Sequence, residues 1–328
     1  MRACSSQFFV LEHYLRLATR KPDRWLSSLQ VLTGSTSLSQ EVRRSDGQED
    51  FFARLAFLQA EHINLCGIYL HSAVKIFGAN AEASTIVMPL QGSVEFKVEG
   101  QHFLCAPGIP FVLEPNAEFC ASVSDGAHLF IVQLAQPLSQ ESNALPESGD
   151  PKLASVLDSF LVETPFFRNH EHAMERVRRF ERALALYRDN GVWFDSKRRG
   201  RPRVGDERRI CQAVHLINER LELGVEFESI ARDSGLSLRN LYYLMKKYTG
   251  MTPYNYCRSR RLIKARESLI CSYPEGPLIA EHALRCGFNH LGRFSSYYRE
   301  HFGEYPSETI RNLESLTRYG EELVTQEC

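Results

Sequence analysis

The sequence lacks most of the features that would place a chain in a membrane, outside the cell or around a metal. No run approaches the ~20 uninterrupted apolar residues that a membrane span needs. The apolar patch Phe8-Phe9-Val10-Leu11 is broken by Glu12, His13 and Arg16, too early for a secretion signal. The nine cysteines, an odd number, are scattered singly from Cys4 to Cys328, and none falls in a Cys-x-x-Cys pair. Neither a zinc knuckle nor a disulfide framework is expected, and reduced thiols suit a soluble cytoplasmic protein. There is no P-loop, dinucleotide fingerprint or nucleophile motif. No cofactor and no metal are expected.

Net charge is also nearly absent, at −1, but the balance conceals an asymmetry. Residues 197–311 hold 21 Lys/Arg against 13 Asp/Glu, a net of +8, and the remainder holds 18 against 27, a net of −9. A basic third joined to an acidic remainder points to one domain that meets a polyanion and another that does not.

What is present begins with short β-rich runs over residues 65–134. They are Leu65–Leu70, Thr85–Leu90, Ser93–Val98, His102–Cys105, Phe111–Leu113 and His128–Leu134, separated by turns such as Gln91-Gly92, Glu99-Gly100, Pro107-Gly108 and Asp125-Gly126. Strands at this spacing predict an antiparallel sandwich or barrel. Val94, Phe96 and Val98 alternate with Ser93, Glu95 and Lys97, which gives that strand one dry face and one wet face. Residues up to about Glu49 read as mixed and peripheral.

A polar linker, Gln136 to Pro151, precedes two helical patterns. In the second, Ala173, Val177, Phe180, Leu184 and Tyr187 recur at helical steps, a seam that packs either on the barrel or on a twin helix in a homodimer. The next linker carries Lys197-Arg198-Arg199-Gly200-Arg201-Pro202-Arg203. Its Arg-Gly-Arg-Pro core is similar to an AT-hook, which lies in the minor groove of A·T-rich DNA, but a single copy reads more readily as a solvated hinge.

Residues 206–311 carry the strongest pattern. Asp206 can cap a helix with Ile210, Val214, Ile217 and Leu221 on one stripe. A short helix from Phe227 to about Asp233 then leads through Ser234-Gly235-Leu236, where glycine accepts positive φ, to a helix capped by Ser237. Leu241, Leu244 and Tyr248 face inward, leaving Ser237, Arg239, Asn240, Tyr243, Lys246 and Lys247 outside, residue types that bond base edges and phosphates. A basic helix of about 17 residues, Tyr254 to Ile270, spans roughly 25 Å at 1.5 Å per residue. The design then repeats: Leu278 to Arg285, the turn Cys286-Gly287-Phe288, and a second recognition helix from His290 to Phe302. The exposed set there is Asn289, His290, Arg293, Ser296, Tyr297 and Arg299. Ala231 aligns with Ala283 and Gly235 with Gly287, whereas the end glycines 250 and 303 differ by one residue in offset. Two such helices about 34 Å apart would enter successive major grooves, with no symmetric dimer needed.

The string Ala283-x3-Gly287-Phe288-x5-Phe294-x3-Tyr298-x3-Phe302-Gly303-x2-Pro306-Ser307 resembles the signature of the AraC/XylS regulators. Ile230-Ala231, Ser234 to Ser237 and Gly250 to Pro253 match the first unit of that signature, and residues 290–294 and 302–309 resemble its XylS-type branch. The N-terminal half resembles that branch through its Gly-punctuated strands and Ala106-Pro107-Gly108. The resemblance implies a sequence-specific DNA-binding activator of an operon, partnered by a double-stranded operator and RNA polymerase, with an aromatic carboxylate as effector. The fold expected is α+β: an N-terminal cupin-like antiparallel β-barrel with helices, then an all-α C-terminal domain with two helix-turn-helix units. The division runs 1–150 for the barrel with its extension, 151–194 for the helical segment, 195–206 for the basic linker, 207–311 for the DNA-binding domain and 312–328 for the tail.

An aromatic acid needs an apolar slot and a cation, and Arg54, His71, Lys75 and Lys97 are the groups near or in the strands. A regulator without a small-molecule ligand, whose barrel serves only dimerisation or protein contact, is the alternative that the sequence leaves open. The enzyme alternative, a metal-holding cupin, needs a His-x-His with a carboxylate nearby. His62, His71, His102 and His128 are isolated, and the one such pair, His170 and His172, lies in the helical segment.

Overall fold

A computed structural model describes residues 8–42, 51–135, 149–190, 204–222, 224–274, 276 and 278–326. The AT-hook-like segment, residues 197–203, lies outside the described residues. The chain divides into two compact units: one of Phe9–Phe160, Val177–Trp193 and Thr309–Cys328, the other of Met1–Phe8, Leu161–Arg176 and Phe194–Glu308.

The first unit is β-rich. Its strands are β1 (Leu15–Thr19), β2 (Ser39–Val42), β3 (Ala53–Gln59), β4 (Ile63–Leu70), β5 (Val74–Ala79), β6 (Ser84–Gln91), β7 (Val94–Val98), β8 (Gln101–Cys105), β9 (Phe111–Leu113), β10 (Glu118–Val123) and β11 (Ala127–Leu134). They form two antiparallel sheets, ordered β1-β3-β4-β11-β6-β9 and β2-β5-β10-β7-β8. The closed barrel expected from strand spacing is therefore corrected: both sheets are open, and no ladder joins them among the described residues. The edge strands explain why. β9 is only three residues long and follows Pro110, which has no N–H to give a ladder. After β9, Asn116 turns the chain at a positive φ of 58°. Among the described residues β8 pairs only with β7, and it holds Leu104 outward, 69% exposed.

Part of the stretch read as peripheral is core: Leu11, Tyr14, Leu15, Leu17 and Trp25 are buried. Helix α1 (Pro22–Thr33) starts on Pro22, whose missing N–H is no loss at a helix start, and ends on Gly34 at φ 72°. Its Trp25 is fully buried. Two amides tie this helix and the chain after it in place. Gln30 Nε2 donates to the carbonyls of Thr36 (3.0 Å) and Leu38 (2.8 Å), and Gln133 Nε2 donates to that of Thr33 (3.1 Å).

The period-2 alternation of strands assigns each side chain to a face. Ile68, Leu70, Val87, Leu129 and Ile131 from the six-stranded sheet, with Ile76, Val94, Phe96, Ala121 and Val123 from the five-stranded sheet, line a shared interior. The opposite face of the six-stranded sheet carries Arg54, Tyr69 and His128 in one row and Gly67 and Phe130 in the next. Phe160 of α2 (Pro151–Leu161) and Phe180 of α3 (His170–Asn190) stack at 4.4 Å and both lie over Phe130. Phe9 stacks on His128 at 5.2 Å, and Val10 N–H donates to His128 Nε2 at 3.0 Å. Burial, with the neighbouring Arg54 charge, lowers the His128 pKa to about 4, which keeps the ring neutral and able to accept that bond.

Gly67 is required by this close approach. A Cβ there would stand 2.4 Å from the Val10 carbonyl oxygen and 2.8 Å from its Cγ1. Gly67→Ala should therefore cost about 1–3 kcal/mol through overpacking and expose the Val10 amide to hydrogen exchange. Wild-type melting with a still-protected Val10 amide would contradict this packing.

Candidate nucleic-acid interface

The second unit is helical: α4 (Val204–Glu219), α5 (Phe227–Asp233), α6 (Leu238–Thr249), α7 (Pro253–Cys271), α8 (Ile279–Arg285) and α9 (Leu291–Phe302), followed by α10 (Pro306–Gln326), which runs on into the β-rich unit's residues. α5 and α6 form one helix-turn-helix, α8 and α9 the other. Each turn is made the same way. Gly235 (φ 67°) and Gly287 (φ 83°) take the left-handed conformation, and the next residue's N–H reaches back to an alanine carbonyl. Leu236 N donates to Ala231 O at 2.8 Å and Phe288 N to Ala283 O at 2.9 Å, the bond that closes a helix with a left-handed glycine.

The geometry locates the one-residue offset of the repeat. Ala231 to Leu236 map onto Ala283 to Phe288 by adding 52, whereas the N-cap Ser237 and end-cap Gly250 map onto His290 and Gly303 by adding 53. The extra residue is therefore in the turn, at Asn289. Along the recognition helices Asn240 corresponds to Arg293, Tyr243 to Ser296, Lys246 to Arg299, Lys247 to Glu300 and Arg239 to Gly292.

On α6 and its cap, Ser237, Arg239, Asn240, Tyr243, Lys246 and Lys247 are all exposed, while Leu241, Leu244 and Met245 are buried. Ser237 Oγ accepts from Asn240 N–H at 3.2 Å and so caps the helix. The Lys247 ammonium sits over the Tyr243 and Tyr248 rings at 5.9 and 5.2 Å. On α9 and its turn, Asn289, His290, Arg293, Ser296 and Arg299 are exposed. Ser296 Oγ donates to the Gly292 carbonyl at 3.1 Å, and Arg299 bonds the Tyr305 hydroxyl at 2.8 Å while stacking on its ring. Tyr297 differs from the rest: it occupies the position of the buried Leu244, is half-buried, and lies under the Arg258 guanidinium at 4.4 Å. Among the described residues no hydrogen bond holds Arg239 or Arg293.

The connecting helix α7 begins on the Thr252 cap, whose Oγ1 accepts from Asn255 N–H, and runs 19 residues, about 28 Å at 1.5 Å per residue. Several of its positive charges have partners within the unit. Arg258 stacks on Tyr297, Arg260 on Phe8 (4.9 Å), and Lys264 pairs with Glu222. Arg266, 1% exposed, pairs with Glu304 at 2.7 Å, bonds the Tyr298 hydroxyl and lies over the Phe302 ring at 4.9 Å. Burial opposes the Arg266 charge, but Tyr298 and Glu304 more than offset it and its pKa is raised. Exposed cations stand on both recognition helices, at Arg239, Lys246, Lys247, Arg293 and Arg299, and also at Arg208 and Arg209 on α4, Arg232 on α5 and Arg285 on α8.

The core of this unit extends beyond residues 207–311. Phe166 and Phe8 join Ile210, Ile217, Leu241 and Met245 in one cluster, and Phe166 meets Tyr256 at 6.3 Å. The same segment reaches the C-terminal ends of both recognition helices. Arg168 lies beside Gly250, and the His170 ring is 2.8 Å from where a Gly303 Cβ would be. Buried His301 fixes it: Nδ1 faces the Arg168 carbonyl at 3.1 Å, so it carries the proton, and Nε2 accepts from Ser259 Oγ at 3.3 Å.

The β-rich unit contains a cavity of about 80 Å³ lined by residues of both sheets and by Trp25 and Leu29 of α1. None of the four cations proposed for a carboxylate lines it. Lys75 and Lys97 alternate with the inward residues of β5 and β7 and so stand on the outer face. Arg54 lies over Phe9 on the far face of the other sheet, and His71 follows β4 in a turn. Among the described residues no group of three His, Cys, Asp or Glu could hold a metal ion, and no helix is long and apolar enough to cross a membrane.

Comparison with known proteins gives two family matches: a helix-turn-helix domain over residues 230–312 and an AraC-binding-like domain over residues 33–195. Among relatives, the XylDLEGF operon transcriptional activator 1 of Pseudomonas putida is 29% identical over 267 residues, 76% of this chain and 81% of that protein. The XylDLEGF operon transcriptional activator 2 of the same organism is 40% identical over 99 residues, 30% of this chain and 63% of that protein. Among solved structures, the AraC-like transcriptional activator CuxR is 19% identical, with 83% of this chain and 99% of that chain covered and a TM-score of 0.40.

His301 gives the helical unit a pH dependence. Burial lowers its pKa to about 4, the Arg168 carbonyl partly opposes this, and Arg258, Arg260 and Arg266 add to it. Between the ordinary value near 6.5 and about 4, the unfolded chain binds a proton that the folded unit refuses, so stability falls with falling pH. The loss approaches about 3 kcal/mol below pH 4. His128 titrates in the same window in the other unit, so the readout is a difference: His301→Gln should unfold with a pH slope about one proton shallower between pH 6.5 and 4.5. An unchanged slope would contradict the neutral, buried ring.

Proposed function

The chain belongs to the AraC/XylS family of DNA-binding transcription regulators, and from that premise we propose that it activates an operon in response to a small molecule held in the β-rich unit. The carrying observation is the duplicated helix-turn-helix, with exposed polar and cationic side chains on the same positions of α6 and α9 and an α7 long enough to separate them by about one turn of B-DNA. Arg239, Asn240 and Arg293 stand near the N-terminal ends of these helices, where such helices read base edges. Lys246, Lys247, Tyr243 and His290 suit phosphates and the groove wall. Ser237, Asn289, Ser296, Tyr297 and Arg299 complete the proposed contact set, with Tyr297 acting through the Arg258 stack that seats α9 on α7.

Operon activation is what the printed names of the Pseudomonas putida relatives state of those proteins. Carried to this chain, it implies contact with RNA polymerase beside the operator. The cavity between the sheets supports effector binding, because a concave, mostly apolar space with few polar groups is the usual form of a small-molecule site. The family is regulatory, and the chain is a regulator rather than an enzyme.

Arg239→Ala and Arg293→Ala should each lose roughly 1–3 kcal/mol of operator binding and relax preference at one or two base pairs. Lys246→Ala should weaken binding to all sequences alike, as a phosphate contact does. Mobility-shift titrations of the full chain on operator and scrambled DNA separate the two effects. Unchanged affinity and preference in both arginine variants would remove α6 and α9 from the role of readers.

A further inference from the structure

The two recognition helices have one residue in common. The residues of α6 and α9, 12 in each, pair by adding 53, and only the first pair is identical: Leu238 and Leu291. Even the core positions differ, with Leu241 against Phe294 and Met245 against Tyr298. The shared residue is outside the core. Leu238 is 36% exposed and Leu291 43% exposed, each at the N-terminal end of its helix. Leu278 and Leu284 are exposed as well, but their counterparts in the first unit are Glu226 and Arg232, so that exposure is not repeated.

The chemistry of the side chain restricts what it can meet. Leucine has neither donor nor acceptor. Pressed against the edge of guanine, adenine or cytosine, it would take water from groups that it cannot bond. Thymine is the exception, because its 5-methyl is the apolar group that a base presents in the major groove. The N-terminal residues of a recognition helix are those that reach base edges. In α9 the next residue leaves room for such a contact. Gly292 is helical, and a Cβ there would meet nothing within 4 Å, so packing does not require glycine and bare backbone stands beside Leu291.

We propose that Leu238 and Leu291 each read a thymine methyl, one in each contacted segment, and so require two thymines about 10 base pairs apart. The inference rests on the reading of α6 and α9 as the helices that enter the grooves. It adds an apolar contact to the hydrogen bonds assigned to Arg239, Asn240 and Arg293.

The test removes the methyl alone. In an operator selected from random DNA by the full chain, each thymine is replaced in turn by deoxyuridine, which keeps the base-pairing groups, and affinity is read by mobility shift. One thymine in each segment, about 10 base pairs apart, should show a loss of about fourfold, the equivalent of one buried methyl at about 0.8 kcal/mol. Leu238→Ala should make binding indifferent to the methyl in one segment only, and Leu291→Ala in the other only. Both variants should melt as the wild type does, because the side chains removed are exposed. The proposal is overturned if no thymine methyl matters, or if its loss costs the alanine variants as much as the wild type. A methyl effect in one segment only overturns the assignment of the other leucine. If the leucine contacts fail while Arg239→Ala and Arg293→Ala still lose operator preference, the groove-reading helices stand. If the arginine variants are unchanged too, both readings fail.

Discussion

The buried guanidinium of Arg266 is the constraint on which the DNA-reading geometry depends. It sits on α7 yet is satisfied by the second unit: Glu304 beyond α9, the Tyr298 hydroxyl within α9 and the Phe302 ring at its end. Removing one partner of such a pair strands a charge in a nearly dry site, which costs about 3–5 kcal/mol. α9 is thus fixed against α7 by an interaction with one good geometry, whereas apolar packing alone would tolerate several. Arg258 over Tyr297 repeats the device one face away, and on the other side Tyr256 carries α7 into the core shared with α4 and α6. A connecting helix rich in arginine is here an internal brace for the helices it separates.

The β-rich unit is organised by a comparable economy of polar contacts. Gln30, Asn80 and Gln133 each bond backbone carbonyls across loops, closing the ends of two open sheets where a barrel would have used strand pairing. Neutral His128 does the same for the N-terminal segment, accepting from Val10 N–H. These groups are buried and bonded, as buried polar groups must be. Among the described residues the buried Trp25 indole N–H and the Ser28 and Ser84 hydroxyls have no such partner.

Sequence pattern made the helix-turn-helix repeat legible because its signals are local. Glycine at a left-handed turn, Ser237 as a cap and the spacing of Leu241 and Leu244 are fixed by a few neighbouring residues. The offset between the two end glycines was visible too, though only the backbone bonds of Leu236 and Phe288 assign it to the turn. The open sheets were not legible, since closure depends on which strands meet, and Leu104 or Phe111 reads alike in a barrel and a sandwich. β1, β2 and α1 were missed because residues 1–49 show no sustained alternation, and Trp25 and Gln30 reveal their burial only through distant partners. Tyr297 read as exposed from helical spacing, and the cation that covers it lies 39 positions earlier, at Arg258. Sequence position places Arg54, Lys75 and Lys97 in strands but does not say on which face of which sheet they stand.

The central claim is that one chain reads two successive major grooves through helices held at a fixed distance by α7. The direct measurement is the affinity of the full chain for an operator selected from random DNA, before and after insertion of ~5 or ~10 base pairs between its two contacted segments. A rigid α7 predicts that the half-turn insertion, which rotates one segment to the opposite side of the duplex, lowers affinity to that of a single segment. The full-turn insertion should not restore it, because a helix of about 28 Å cannot lengthen by a turn of DNA. Full affinity after either insertion would mean that the two recognition helices are not held by α7 and that the grooves are read independently.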